Sequence, residues 1–194
     1  MTQGFDPETL AFYAKEAPVY TASGTGGINR HLVDFADRLN PGARVLELGC
    51  GGGIDAQYLI ARGFDVDATD GVAEIAVQAA ARLGRPVRVM RFDELDADAT
   101  YDAILASACL LHVPRDDLVS VLGRVHRAIR QGGWHLATYK GGGREGRDRF
   151  GRYFNYLTAD EARRLYEGAG PWQEVEITGG LGGGYDGVQG PWVR

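Results

Sequence analysis

The sequence predicts an α/β fold: a doubly wound, mostly parallel seven-stranded sheet with helices on both faces and an antiparallel C-terminal hairpin whose last strand is short. Three observations carry this expectation. Strand-like apolar runs alternate five times with helical patterns. One such run, Val45, Leu46 and Leu48, leads into Gly49, Gly51, Gly52 and Gly53 and then a helix from near Ile54. In such folds this is where backbone approaches a ligand, because no Cβ stands in the way. After the fifth alternation come one more helix and two strand-like runs, which imply an antiparallel insertion at the sheet's end.

Composition bounds the rest. A chain of 194 residues with 44% hydrophobic content builds one core, and about 100–200 residues per domain makes it one domain. A net charge of −5 argues against a broad nucleic-acid-binding face. No apolar run approaches the roughly 20 residues of a membrane-spanning helix, and Met1 to Asp6 carries no signal-peptide pattern. Cys50 and Cys109 lie in separate apolar segments and read as reduced thiols, so a cytoplasmic setting is expected. Four scattered histidines show no ligand spacing, so no metal is expected.

Residues 5–20 read as a short helix followed by a loop, rich in Phe5, Leu10, Phe12, Tyr13 and Tyr20. Ser23 to Gly27 is a flexible joint, and Ile28, Leu32, Phe35, Ala36 and Leu39 have helical spacing up to Pro41-Gly42. Next comes the glycine turn. Glu47 is the odd residue there, since a carboxylate repels phosphate and attracts an ammonium group. The helix after it ends at Gly63, and the second strand, Phe64 to Thr69, delivers Asp70-Gly71. An acid at that place can accept hydrogen bonds from both hydroxyls of a ribose, and an Asp-Gly pair also simply makes a turn. Val72 to Leu83 is helical, Pro86 to Met90 is the third strand, and Phe92-Asp93-Glu94-Leu95 follows it. Tyr101 to Ala106 is the fourth strand. It runs into Ser107-Ala108-Cys109 and His112 before an amphipathic helix of Leu118, Val121, Leu122, Val125 and Ile129 that Gly132-Gly133 ends.

The spacing Glu47-x-Gly49-x-Gly51-x-Gly53 resembles the first motif of the class I S-adenosylmethionine (SAM)-dependent methyltransferases. The helix, Gly132-Gly133 turn and strand Trp134 to Tyr139 also resemble that family's signature. The Asn/Asp-Pro-Pro-Tyr/Phe motif of its amino-directed nucleic-acid and glutamine members is absent, and Ser107-Ala108-Cys109 is similar to the small-molecule type. The resemblance covers residues 28–194 and implies a Rossmann-like fold, SAM as cofactor and a small-molecule acceptor as partner, with neither nucleic acid nor membrane involved. It implies that Tyr13, Tyr20, Glu47, Gly49, Cys50, Gly51, Gly53, Asp70, Gly71, Asp93, Glu94, Leu95, Ser107 and Ala108 bind the cofactor. Asp93 would take the exocyclic amine of adenine, and Tyr13 or Tyr20 would lie over the cofactor. His112, near the expected methyl group, is the one candidate proton acceptor and also a candidate substrate contact.

The run from Lys140 to Tyr156, with Arg144, Arg147, Arg149 and Arg152 among glycines, reads as a mobile substrate lid in which Arg149, Arg152 and Tyr153 meet the acceptor. Glu145 and Asp148 can equally pair with those arginines. Thr158 to Glu161 is a capping box opening the last helix. Trp172 to Ile177 then reads as a strand, Gly179 to Gly184 as a loop and Gln189 to Val193 as the start of the closing strand. The chain thus divides into an N-terminal cap (1–27), a SAM-binding core (28–140), the lid (141–157) and a terminal helix and hairpin (158–194). Two other functions remain open at this point. Gly51-x-Gly53-x-x-Ala56 fits a nicotinamide-dependent oxidoreductase, and a catalytically inactive SAM-binding module would share the same motif.

Overall fold

The computed structural model describes residues 4–22, 28–183 and 189–194; the expected glycine joint at 23–27 and Gly184 lie outside them. Strands β1 (Arg44–Glu47), β2 (Asp65–Asp70), β3 (Arg88–Val89), β4 (Tyr101–Ala106) and β5 (Ile129–Ala137) form a parallel sheet in the order β3-β2-β1-β4-β5. β1 is central, and alternation along the strands divides the core into two layers. Val45, Ala103 and Leu105 face helices α2 (Arg30–Asp37), α3 (Ile54–Ala61) and α4 (Ala73–Leu83). Leu46, Leu48, Ile104 and Ala106 face α5 (Arg115–Ala128) and α6 (Ala159–Ala169). Each fully buried Val, Leu or Ile contributes about 1.5–3 kcal/mol, so this double burial holds the glycine turn on a rigid base.

Local signals place the helix ends. Asn29 accepts from the His31 amide at 2.9 Å, Gly84 closes α4 at φ 61°, and Thr158 and Glu161 form the expected capping box. Ahead of the sheet, α1 (Pro7–Ala22) is one 16-residue helix, not the short helix and loop expected. It packs on α4, with Ala17, Val72 and Ile75 buried between them.

The C-terminal part departs from expectation. A single seven-stranded sheet is not what forms: the parallel sheet has five strands. A separate three-stranded antiparallel sheet joins β6 (Tyr139–Lys140), β10 (Gln189–Val193) and β9 (Gly179–Gly183) in the order β6-β10-β9. Thr138 separates β5 from β6; its amide bonds to Ala106 O and its hydroxyl accepts from the Ala108 amide at 2.8 Å. Trp172 to Ile177 is not a strand, because Trp172 and Ile177 turn into the core against α5 and α6. The glycine run expected to be a loop supplies the strand instead. A Cβ on Gly182 would stand 2.8 Å from the Trp192 indole of the paired strand, so this pairing requires glycine. The 140–156 stretch is likewise not open loop but contains a hairpin of β7 (Gly146–Arg147) and β8 (Tyr153–Phe154), packed against α1.

Candidate functional site

At the carboxyl ends of β1, β2 and β4 a cavity of about 590 Å³, its open mouth included, lies beneath α1. The sheet supplies one wall. Gly49, Gly51 and Gly53 adopt φ of 61°, 53° and 80°, the left-handed region that favours glycine. A Cβ on Gly49 would stand 2.6 Å from the Cys109 Cβ, and one on Gly51 would touch the Tyr20 ring at 3.4 Å. Both glycines line the cavity.

Three carboxylates gather around this turn. Asp70 is buried, its Oδ2 accepting from the Gly51 amide at 3.0 Å and its Oδ1 from the Val72 amide at 2.9 Å. Burial outweighs those two bonds and pushes its pKa up to about 6. Glu47 is only 2% exposed and its Oε2 has no hydrogen-bond partner. Burial, then the charges of Asp55 and Asp70, raise its pKa well above the usual carboxylate range. Asp55, also raised by burial, is hydrogen-bonded to the Ser107 side chain. An uncompensated buried carboxyl oxygen is costly. Of the three, Asp70 lines the cavity; with the glycine cradle it fits a ligand that carries hydroxyls, as SAM does, and the Glu47–Asp55 pair stands behind the turn.

The other wall comes from α1 and the 140–156 segment. His112 Nδ1 lies 2.6 Å from the Tyr153 carbonyl oxygen and Nε2 lies 3.0 Å from Tyr13 Oη. A carbonyl only accepts, so Nδ1 carries the proton and Nε2 accepts from the tyrosine hydroxyl. Burial pushes the His112 pKa down to about 4. Tyr13 Oη accepts from Arg152 Nη1 at 3.0 Å, and Arg152 is held by Asp148 at 2.6 Å. Ala108, on the same side, has φ 51°, a strained conformation for a residue with a Cβ, and is tied down by Thr138.

Of the residues expected from sequence, Tyr13, Tyr20, Gly49, Gly51, Asp70, Gly71, Ala108 and His112 line the cavity. Cys50, Gly53 and Leu95 support it from behind: Gly53 backs onto Leu83, while Cys50 and Leu95 are core residues. Glu47 and Ser107 lie behind the turn with Asp55. Asp93 and Glu94 do not line the cavity but grip Arg91, which does. Arg149, Arg152 and Tyr153 lie outside the lining: Arg149 covers the Phe150 ring at 4.7 Å, Arg152 is 1% exposed, and Tyr153 donates its hydroxyl to Glu145. Phe5, Thr9, Leu10, Val72, Ile75, Arg91, Phe92 and Cys109 also line it and were not foreseen. The i, i+4 spacing of Thr9 and Tyr13 was the available signal for the helix face; Val72 and Phe92 stand directly after the turns already singled out.

The fold is a Rossmann-like α/β fold with a parallel central sheet of five strands, and its glycine turn and Asp70 line the cavity. Residues 45–133 match the family described as the methyltransferase domain. The chain is 33% identical over 117 residues to the ubiquinone biosynthesis O-methyltransferase of Chromobacterium violaceum, covering 55% of this chain and 49% of that protein. It is 25% identical over 134 residues to the probable S-adenosyl-L-methionine-dependent methyltransferase TehB of Haemophilus influenzae, covering 66% of this chain and 46% of that one. The chain therefore spans about half the length of the curated relatives it matches. Among solved structures, 1,6-didemethyltoxoflavin-N1-methyltransferase of Burkholderia thailandensis, bound to S-adenosylhomocysteine (SAH), superposes with a TM-score of 0.77 at 22% identity, over 96% of this chain and 85% of that one. The DhpI–SAH complex gives 0.66 at 22% identity, over 100% and 98%. These two likenesses establish the fold.

Proposed function

We propose that the protein is an enzyme that transfers a methyl group from SAM to a small-molecule acceptor by in-line displacement. The observation that carries this is one cavity bounded on one side by Gly49, Gly51 and Asp70 and on the other by the Tyr13–His112 pair. SAM supplies an activated methyl group when bound; the chain's own residues bind, orient and exclude water. In this reading the Glu47 side of the turn takes the ammonium group, Asp70 takes the ribose hydroxyls, and Phe92 with the neighbouring Asp93–Leu95 segment takes the base. Tyr20 lies against the glycine turn, and Tyr13 and His112 face the acceptor.

The division into cap (1–27), core (28–140), lid (141–157) and terminal helix and hairpin (158–194) belongs to the same reading, with α1 in the role of roof. No described helix is long and apolar enough to cross a membrane, and the buried free thiols Cys50 and Cys109 suit a reducing cytoplasm.

The Asp70 carboxylate, which accepts from the Gly51 amide and lines the cavity, opposes a pyrophosphate at the glycine turn, so the nicotinamide alternative is not favoured. Calorimetry tests this directly: SAH should bind and NAD should not, whereas NAD binding in preference to SAH would overturn the proposal. Incubation with methyl-radiolabelled SAM and small acceptors then separates the enzyme from an inactive binding module.

A further inference from the structure

Arg152 is the largest side chain among the fully buried ones, and it neither lines the cavity nor reaches solvent. Its guanidinium sits among the rings of Phe12, Tyr13, Phe150 and Phe154 at 5.1, 5.6, 5.4 and 5.2 Å. Nε and Nη2 both donate to Asp148 Oδ2, at 2.9 and 2.6 Å, which fixes the plane of the fork and aims Nη1 at Tyr13 Oη. Burying a charged fork this deeply is expensive, and a neutral apolar side chain would pack the same space at less cost.

We propose that Arg152, clamped by Asp148, is a positioning residue that sets Tyr13 and His112 as the proton-accepting pair for a hydroxyl-bearing acceptor. The proposal rests on the methyl-transfer reading above and adds the acceptor's chemical class.

The proton order along the chain is forced. A guanidinium only donates, so Tyr13 Oη must accept from Arg152 and its own hydrogen must point elsewhere. The His112 tautomer, set by the Tyr153 carbonyl, presents Nε2 as the acceptor for that hydrogen. One lone pair of Oη is left for a ligand, and Tyr13 and His112 both line the cavity. As the acceptor oxygen forms its bond to the methyl carbon, the carbon–sulfur bonding pair stays on sulfur. The acceptor's proton passes to Tyr13 Oη, and the tyrosine proton passes to His112 Nε2. His112 later releases that proton to solvent.

Charged groups facing His112 are Arg152, Asp148 and Lys140; those facing Tyr13 are Arg152, Asp148 and Asp70. Burial raises the Tyr13 pKa and Arg152 opposes that rise, while burial keeps His112 neutral until it is used. The acceptor class follows from the lining. Among the described lining residues Arg91 is the one cation, and it is tied to Asp93 and Glu94. An acceptor that arrives already ionised has no use for a proton acceptor, whereas a neutral hydroxyl needs the one that the Tyr13–His112 pair supplies.

The test uses the full chain saturated with SAH and 15N-labelled at histidine, with the ring of His112 followed by NMR across pH. Wild type should show the Nδ1–H tautomer. Arg152→Gln should move the His112 pKa up, Asp148→Asn should move it down, and Arg152→Lys should return it toward wild type, all with SAH affinity retained. Opposite shifts are what a charge pair produces and what general loosening does not. A His112 tautomer and pKa unmoved by Arg152→Gln overturn the proposal. Methylation of benzylamine but not of catechol by wild type overturns the acceptor class. Failure of wild type to bind SAH would instead sink the methyltransferase reading itself, so the two failures are told apart.

Discussion

The two walls of the cavity are built differently. The sheet wall is held by backbone: Leu48 N–H bonds to Leu105 O at 2.9 Å, Cys50 N–H to Thr69 O at 2.8 Å, and Asp70 grips two amides. The roof is held by side chains. Arg147 reaches Asp6 at 2.7 Å and Glu8 at 3.3 Å, the Tyr153 amide donates to Thr9 Oγ1 at 2.9 Å, and Tyr13 joins Arg152 to His112. Backbone ladders between buried strands open only with the fold, while partly exposed ion pairs are weak and screened by salt. The contrast assigns cofactor precision to the sheet wall and access to the roof. Tyr20 of α1 lies against Gly51, so in the proposed reading a ligand reaches the turn by displacing α1, not the sheet.

The sharpest way to break this comparison is Gly49→Ala. The added Cβ would meet the Cys109 Cβ at 2.6 Å in a left-handed conformation. The combined strain and overpacking should cost roughly 2–5 kcal/mol, read as a fall in the urea midpoint. A loss below about 1 kcal/mol would mean that the sheet wall yields as easily as the roof.

Asp70→Asn comes next. It keeps the shape and one acceptor but loses the charge, and SAH affinity should fall by about one to two powers of ten, from about 1.5–3 kcal/mol of charge-assisted hydrogen bonding. Unchanged affinity by calorimetry, in a variant with wild-type circular dichroism, would remove Asp70 from the site.

A third expectation concerns pH. Asp70 has a folded pKa raised to about 6, above its unfolded value. Its protonation on acidification relieves a buried charge, so its own term favours folding more as pH falls through about 6. The carboxylate needed for the ribose is lost in that same window. SAH affinity should therefore decline below about pH 6 in wild type and be flatter in Asp70→Asn. Equal pH dependence in both would assign the decline to another group.

The smallest effect is expected at the roof. Arg147→Ala should speed proteolytic cleavage within α1 and SAH release, and 0.5 M salt, roughly the concentration that shortens the screening length below 5 Å, should do the same to wild type. The melting temperature should move by less than about 4 °C. A large drop would show the roof to be part of the folding core.

Much of the sheet wall was legible in the chain itself. Val45, Leu46 and Leu48 have to be buried on both faces, Gly49, Gly51 and Gly53 have to turn left-handed, and Asp70 has to fall at the end of the next strand. These are local properties of composition and period, which is why the cavity lining contains Gly49, Gly51, Asp70 and Gly71 as expected. The capping box of Thr158 and Glu161 was legible for the same reason.

What the sequence could not determine was set by partners distant in the chain. Arg152 reads as a lid cation because its neighbours are glycine and charge; only the fold brings it to Tyr13, 139 positions away, and buries it. Gly179 to Gly183 reads as a loop because glycine has no strand preference, and it becomes a strand because the Trp192 ring needs the space a side chain would fill. The pairing of Asp93 and Glu94 with Arg91, which brings Arg91 into the cavity lining, is likewise set by the fold. Period and propensity act within a few residues and so are written in sequence order. Side-chain pairing and steric fit act through space, and for those residues only the tertiary structure decided.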